Sequence, residues 1–443
     1  MAGSFPSPMF DELRQASERR QLLRQMRRVL LAARRLLSER GEANSVQLAG
    51  ELISLIDSLP AEGLQLLFEH LALDFNPDPQ AVLATAQAYA DTPGATQLQA
   101  LLRASEPPRQ ELFRRLNRAP GATGVLVRLR RSLLAGLGEH PHWHSVEADL
   151  LHLFSSWFNP GFLQMRQVDW NSPAQLLEKI IRHEAVHAID GWDDLRRRLQ
   201  PDRRLFAFFH PQLPEEPLIF VEVALADQMP AAIAPLIDKQ APVAAAERSK
   251  VAAFYSISNC EPGLKGVSLG NFLIKRVAEQ LQRELPRLKT FCTLSPIPGF
   301  ASWLQTDPVL DESLGLKKPA LERAQQAWQT LRAVSQGDLS RLSQSAGLAK
   351  LDDKAREALQ RLCAVYLIAQ TPRPGGDPVA RFHLDNGARL ERLNLDGNPS
   401  GKGLRQSCGM MVNYLYDLER IETHHEAFIA GELACSRAVT ALL

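Results

Sequence analysis

No stretch of the 443-residue chain stays apolar for the roughly 20 residues that a membrane-spanning helix needs. The first residues also lack the apolar core of a secretory signal. Neither sign of charge is in excess: 51 Lys and Arg stand against 50 Asp and Glu, for a net charge of +1. Such a balance gives no overall field to draw in nucleic acid or a membrane surface. Cysteine is scarce. The five residues, Cys260, Cys292, Cys363, Cys408 and Cys435, form no C-x-x-C pair and are odd in number. That argues against a fully paired disulfide framework and reads as reduced thiols in a cytoplasmic protein. No fixed repeat period appears, which disfavours a solenoid. What remains is an ordinary globular composition, 45% hydrophobic and 23% charged, with ample chain for a large core.

The stretch with most internal order is 251–303. Val251 to Ser258 is rich in aromatic and branched residues and reads as a buried strand. Glu261, Pro262, Gly263 and Gly266 break it. From about Asn271, residues Phe272, Ile274, Val277, Ala278, Leu281 and Leu285 recur at helical steps until Pro286, and Thr290 to Leu294 is a second strand. A unit of this length predicts two parallel strands with a right-handed crossover. Gly263, Gly266 and Gly270 lie between strand and helix, where backbone N–H groups and the helix dipole suit a pyrophosphate. The same glycines also serve a plain helix-start turn. The spacing is neither the dinucleotide fingerprint nor a phosphate loop with Gly-Lys-Ser/Thr.

Upstream, residues 9–40 carry an apolar stripe, Leu22, Leu23, Met26, Val29, Leu30, Ala33, Leu36 and Leu37, beside many arginines. Asp11, Glu12, Glu18 and Glu39 are out of place in a transit peptide, so this reads as the first helix of a bundle with a solvated basic face. Helical patterns continue from Ser45, a candidate N-cap, to about Leu137, separated by Pro, Gly, Asn and Asp. This irregular bundle holds no chemical constellation and is expected to drive self-association. His140, His142, His144 and His152 follow in a helical pattern and read as solvated or packed rather than metal-bound.

His183-Glu184-Ala185-Val186-His187 matches H-E-x-x-H, in which two imidazoles one helical turn apart hold zinc. The short helical pattern and the basic run Arg196-Arg197-Arg198 speak against it. Residues 205–227 read as two strands around a proline-rich hairpin, 228–250 as a surface excursion, 312–348 as a polar helical insertion, and 352–370 as another helix. Ser295 ends a strand before Pro296-Ile297-Pro298-Gly299, where a hydroxyl either meets a ligand or satisfies the turn. His383, in Phe382-His383-Leu384-Asp385-Asn386-Gly387-Ala388, reads by itself as a packed histidine in a strand-to-turn element.

Strand, glycine turn, helix and strand together resemble the acyl-coenzyme A core of the GCN5-related acetyltransferase superfamily. FYSIS, GLKGVSLGNFLIKRV, TLSPIPGF, FHLDNGA and SCGMMVNYLYDL resemble a narrower family, malonyl-CoA decarboxylase, strongly from about Phe158 to Leu418 and weakly over the first 140 residues. The resemblance implies an α+β, multidomain chain. Residues 1–150 form an all-α bundle for oligomerisation, and residues 151–443 form an acetyltransferase-like α/β domain with a mixed, splayed central sheet. It implies malonyl-CoA as substrate, decarboxylated to acetyl-CoA without metal or organic cofactor. The chain is expected to form a homodimer or tetramer in the cytoplasm, with no nucleic acid or membrane partner; its final residues, Ala441-Leu442-Leu443, are not a peroxisomal Ser-Lys-Leu.

The family's serine–histidine pair falls on Ser295 and His383. The resemblance makes His383 the acid that protonates the enolate carbon. Ser295 holds and polarises the malonyl group, Tyr416 is a positioning hydroxyl, and Asn386 a candidate carbonyl donor. Lys265, Gly266, Val267, Ser268, Leu269, Gly270 and Asn271 are the expected coenzyme-binding turn. The family carries an acid where this chain has Ser268, which removes carboxylate chemistry from that position. In the same stretch as the zinc-like motif the family reads E-A-V-H-P and binds no metal. A plain N-acetyltransferase, a zinc peptidase and an inactive acyl-CoA sensor are the alternatives.

Overall fold

The computed structural model describes residues 8–38, 42–270, 273–373 and 375–443. Two compact units emerge: residues 1–163 with His210–Glu216 and Glu261–Ser268, and Gln164–Phe209 with Pro217–Cys260 and Leu269–Leu443. No helix among the described residues is long and apolar enough to cross a membrane.

The first unit contains α1 (Pro8–Ser38), α2 (Glu42–Asp57), α3 (Ala61–Leu73), α4 (Pro79–Asp91), α5 (Ala95–Ser105), α6 (Pro108–Leu116), α7 (Ala122–Gly136) and α8 (His144–Trp157). The stripe of α1 is narrower than its sequence suggests: Met26, Val29, Ala33 and Leu36 are buried, while Leu23 is 54% exposed. Spacing by three and four residues selects one side of a helix, and Leu23 falls off it. Val29 and Ala33 of the stripe line one apolar cavity with Leu52, Leu112 and Phe113 in the bundle core. Ser45 is a buried residue inside α2 and not its N-cap, because the helix begins a turn earlier, at Glu42.

The second unit is built on one mixed sheet. Its strands are β1 (Gln164–Val168), β2 (Arg203–His210), β3 (Leu213–Ala226), β4 (Val251–Asn259), β5 (Thr290–Thr293), β6 (Ser295–Pro296), β7 (Arg389–Asn394) and β8 (Met411–Tyr416). The order is β1-β2-β3-β4-β5-β8-β6, with β7 also on β8. β4 and β5 are parallel, joined through α12 (Leu273–Glu284), as the strand–helix–strand pattern requires. Phe272 and Asn271, expected at the start of that helix, lie outside the described residues.

The remaining helices are α9 (Ala174–His183), α10 (Gly191–Arg198), α11 (Ala234–Ile237), α13 (Phe300–Gln305), α14 (Lys318–Val334), α15 (Ser345–Leu348), α16 (Asp353–Val365), α17 (Pro378–Asp385), α18 (Gly401–Ser407), α19 (Ile421–Ile429) and α20 (Arg437–Thr440). One reading is qualified and one changes. Residues 228–250 are largely exposed, as a surface excursion is, but Ile233 and Leu236 anchor them by packing with Tyr255, Leu294 and Met411 in a core cluster. Their apolar residues follow no regular period that would single out these two for burial. The element carrying His383 is a helix and not a strand-to-turn piece. Asp377 caps its start, Pro378 occupies the first turn, and Gly387 (φ 77°) follows its end.

Candidate active site

β4 and β5 stay in register from Val251↔Thr290 to Phe254↔Thr293 and then part. β4 runs on to Asn259 beside β3, whereas Ser295 and Pro296 pair with β8. Ser295 therefore stands where the parallel pair opens. α17 brings His383 to it, and β8, through Tyr416, closes the group from the other side. His383 Nε2 lies 3.0 Å from Ser295 Oγ, and its Nδ1 lies 2.9 Å from Tyr416 Oη. Ser295 Oγ also donates to Thr293 Oγ1 at 2.9 Å. One tautomer satisfies all three bonds: Tyr416 donates to Nδ1, Nε2–H donates to Ser295, and Ser295 donates to Thr293. The result is a directed chain of hydroxyls through one imidazole.

The group is buried. His383 is 4% exposed and Ser295 5%. Burial pushes the imidazole down to about 3, so His383 is neutral near pH 7 in the unliganded protein. Burial also raises the Tyr416 phenol well above its ordinary value, which keeps it a hydrogen donor. Tyr414 stacks on the imidazole, with ring centroids 4.6 Å apart and planes 28° apart. Thr293 and Tyr414 were not among the sequence candidates. The available signal was period two: Thr293 and Ser295 sit two residues apart and bond side chain to side chain. Asn386 caps the end of α17, with Nδ2 donating to Phe382 O at 2.7 Å.

The turn after β4 is held by a helix of the bundle. Arg130 of α7, only 1% exposed, donates from Nη1 to Gly263 O at 2.7 Å and from Nη2 to Lys265 O at 2.8 Å. Its charge is balanced by Glu147 at 2.6 Å. A Cβ on Gly263 would overlap the Val127 carbonyl, which explains that glycine by close approach. Gly266 adopts φ 84°, a conformation that disfavours side chains. Lys265, Gly266 and Ser268 are exposed, while Val267, Leu269 and Gly270 are buried. A Cβ on Gly270 would overlap the Phe382 ring, so this end of the turn lies against α17, one residue from His383. Asn271 lies outside the described residues.

The zinc-like motif folds otherwise than zinc binding requires. α9 ends at His183, so the two histidines do not lie one turn apart on a continuous helix. Glu184 turns inward and accepts from Ser256 Oγ (2.7 Å), Ser258 Oγ (3.1 Å) and the backbone N–H of His187 (2.7 Å). His187 is 8% exposed, its Nε2 has no hydrogen-bond partner among the described residues, and burial pushes it down to about 3. Arg198 anchors the same loop through Asp194, Glu222 and the Ala188 carbonyl. In the bundle, His140 and His142 approach Glu69, at 3.4 and 2.6 Å, and His140 stacks on Trp143.

Comparisons with known proteins converge on one family. The model of the malonyl-CoA decarboxylase C-terminal domain matches residues 161–443, and that of the N-terminal domain matches residues 75–158. The mitochondrial malonyl-CoA decarboxylase of Anser anser anser is 39% identical over 340 residues, covering 73% of this chain and 66% of its own length. That of Rattus norvegicus is 38% identical, covering 74% and 69%. The chain thus spans about two thirds of the length of these relatives. Among solved structures, malonyl-CoA decarboxylase from Rhodopseudomonas palustris is similar with a TM-score of 0.81 at 46% identity, covering 94% of this chain and 99% of that one. The enzyme from Agrobacterium vitis gives 0.80 at 45%, with the same coverage. With both domain models matched in order and the fold shared almost end to end, this chain belongs to the malonyl-CoA decarboxylase family.

Proposed function

We propose that the chain converts malonyl-CoA to acetyl-CoA and carbon dioxide at Ser295, His383 and Tyr416. The observation that carries this reading is the hydrogen-bonded chain from Tyr416 through His383 to Ser295, placed where β4 and β5 part. The electrons of the breaking C–C bond flow into the thioester carbonyl, giving carbon dioxide and the enolate of acetyl-CoA. The thioester is its own electron sink, so the step calls for no further cofactor. A donor must hold the developing enolate oxygen, and the Ser295 hydroxyl supplies it by turning its one hydrogen from Thr293 to the substrate. The methylene carbon then takes a proton.

Burial keeps His383 neutral in the free protein, so it takes up a proton from solvent as the substrate binds. A malonyl carboxylate seated beside the imidazole favours imidazolium, and the carboxylate is lost once carbon dioxide leaves. His383 then gives up its proton to carbon and returns to the neutral form. Tyr416 fixes the ring's orientation. Asn386 acts through the end of α17, whose last turn carries His383. The turn Lys265–Gly270, continued by Asn271, receives the coenzyme pyrophosphate; the exposure of Lys265, Gly266 and Ser268 supports that reading.

Residues 1–150 serve self-association into a homodimer or tetramer, and residues 151–443 carry catalysis. Leu23 and Leu31 of α1, 54% and 56% exposed, support a protein-covered face. The scattered thiols support a cytoplasmic site of action. The test of function is incubation with malonyl-CoA, read by mass spectrometry with and without a chelator. Acetyl-CoA and carbon dioxide are expected in both. Acyl transfer to an amine, peptide cleavage lost on chelation, or binding without turnover would each replace this reading.

A further inference from the structure

Asp377 is buried at 1% exposure, lies outside every motif that marked the site, and has its hydrogen bonds to groups other than Ser295 and His383. Its two carboxylate oxygens reach in different directions. Oδ1 accepts from the backbone N–H groups of Val379 (3.1 Å) and Ala380 (3.0 Å), capping α17 six residues before His383. Oδ2 accepts from the Gly299 N–H and the Tyr366 hydroxyl, both at 3.3 Å. Gly299 ends the corner that begins at Ser295. One carboxylate therefore joins the helix of the histidine to the corner of the serine, in parallel with their direct hydrogen bond.

Tyr366 opens a π-helical turn, Tyr366–Gln370, that follows α16. Such turns re-aim side chains at functional sites. Here the turn aims the hydroxyl at the space beside Gly299, which a Cβ on Gly299 would overlap. Four donors converge on Asp377, and only an acceptor with two independent oxygens can serve all of them. A helix cap alone needs one oxygen, as Asp338 and Ser400 show elsewhere in the chain. The second oxygen is the unexplained part.

We infer that Asp377 is a positioning residue that sets the separation of Ser295 and His383, with Tyr366 holding its second oxygen in place. This rests on the assignment of the serine–histidine pair as the reacting groups. Near-attack geometry is steep in distance: a misplacement of about 1 Å costs on the order of 100-fold.

The test uses the full chain. In Asp377→Asn the remaining oxygen keeps the cap, while an N–H2 group meets the Gly299 N–H donor to donor. Expected is a fall in kcat of about 10- to 100-fold with KM for malonyl-CoA changed less than about 2-fold. Tyr366→Phe is expected to shift kcat in the same direction by less. Should Asp377→Asn fail to fold, Asp377→Ser, which caps but cannot reach Gly299, carries the same expectation beside Tyr366→Phe. The discriminating measurement is each change repeated on His383→Ala. A residue acting through His383 costs little more there, whereas a general structural loss costs the same factor in both backgrounds. Unchanged kcat in folded Asp377→Asn, or an equal loss in both backgrounds, overturns the inference. Full activity in His383→Ala instead overturns the assignment beneath it, so the two failures are distinct.

Discussion

His187 and His383 have much in common. Both belong to the second unit, both are under 10% exposed, and burial pushes both imidazoles down to about 3. They differ in their partners. Both ring nitrogens of His383 are engaged, each by a hydroxyl, in a chain that has a direction. His187 has an Nε2 with no partner among the described residues, and the carboxylate of its motif is spent on Ser256, Ser258 and the loop backbone. A perturbed titration alone therefore does not mark a histidine out for chemistry. The aligned hydroxyls are what support the proposal for His383, because proton transfer needs a donor and an acceptor within hydrogen-bond reach.

The widest separation between the two should appear in turnover. His383→Ala is expected to lower kcat by roughly 100- to 10,000-fold, the range for losing a general acid–base group, while malonyl-CoA still binds. Ser295→Ala should also lower kcat, and the double variant should be little worse than the poorer single one if the pair acts as a unit. Near-normal turnover in folded His383→Ala would erase the contrast and leave water or Tyr416 as proton source.

Arg130 sharpens the comparison from the side of binding. Arg130→Lys keeps a charge for Glu147 but cannot span the Gly263 and Lys265 carbonyls. A charged hydrogen bond is worth roughly 1.5–3 kcal/mol, so losing one should raise KM about 10-fold or more with kcat nearly unchanged. A drop confined to kcat would show that the turn is not the coenzyme's seat.

The shared property is tested by acid. Each histidine falls from an ordinary 6.5 to about 3 on folding. Between those values the unfolded chain binds more protons, so these groups lower stability as pH falls from about 6.5 toward 3 and have no such effect above it. His383→Asn and His187→Asn should each flatten that decline in thermal melts followed from pH 7 to pH 4. Curves that stay parallel to the parent's would mean that neither imidazole is held neutral. The smallest effect is expected from His187→Ala on turnover: kcat within about 2-fold of the parent, with or without chelator, once folded protein is compared. Stoichiometric zinc, lost together with activity on chelation, would reverse the reading of the motif.

Periodicity made the strand–helix–strand unit of β4, α12 and β5 legible before any coordinates, because residues on one face of a helix or strand must alternate at the period of that element. The long ordered motifs marked Ser295, His383 and Tyr416, and the glycines marked the turn. Other features needed the folded chain. The helix under His383 does not show in the periodicity, because its start rests on one cap, Asp377, and not on a repeating pattern. The H-E-x-x-H spacing is a property of the chain, but whether a helix carries it past His183 depends on Glu184 finding Ser256 and Ser258, more than 70 residues away. Arg130 lies more than 130 residues from the carbonyls it holds, and Asp377 lies 78 residues from Gly299. Sequence order records neighbours along the chain, and local pattern follows from that. A buried ion or carboxylate gains its meaning from donors and acceptors that only tertiary packing brings within 3 Å or so, which is why the motifs named the candidate residues and the fold alone decided what holds them in place.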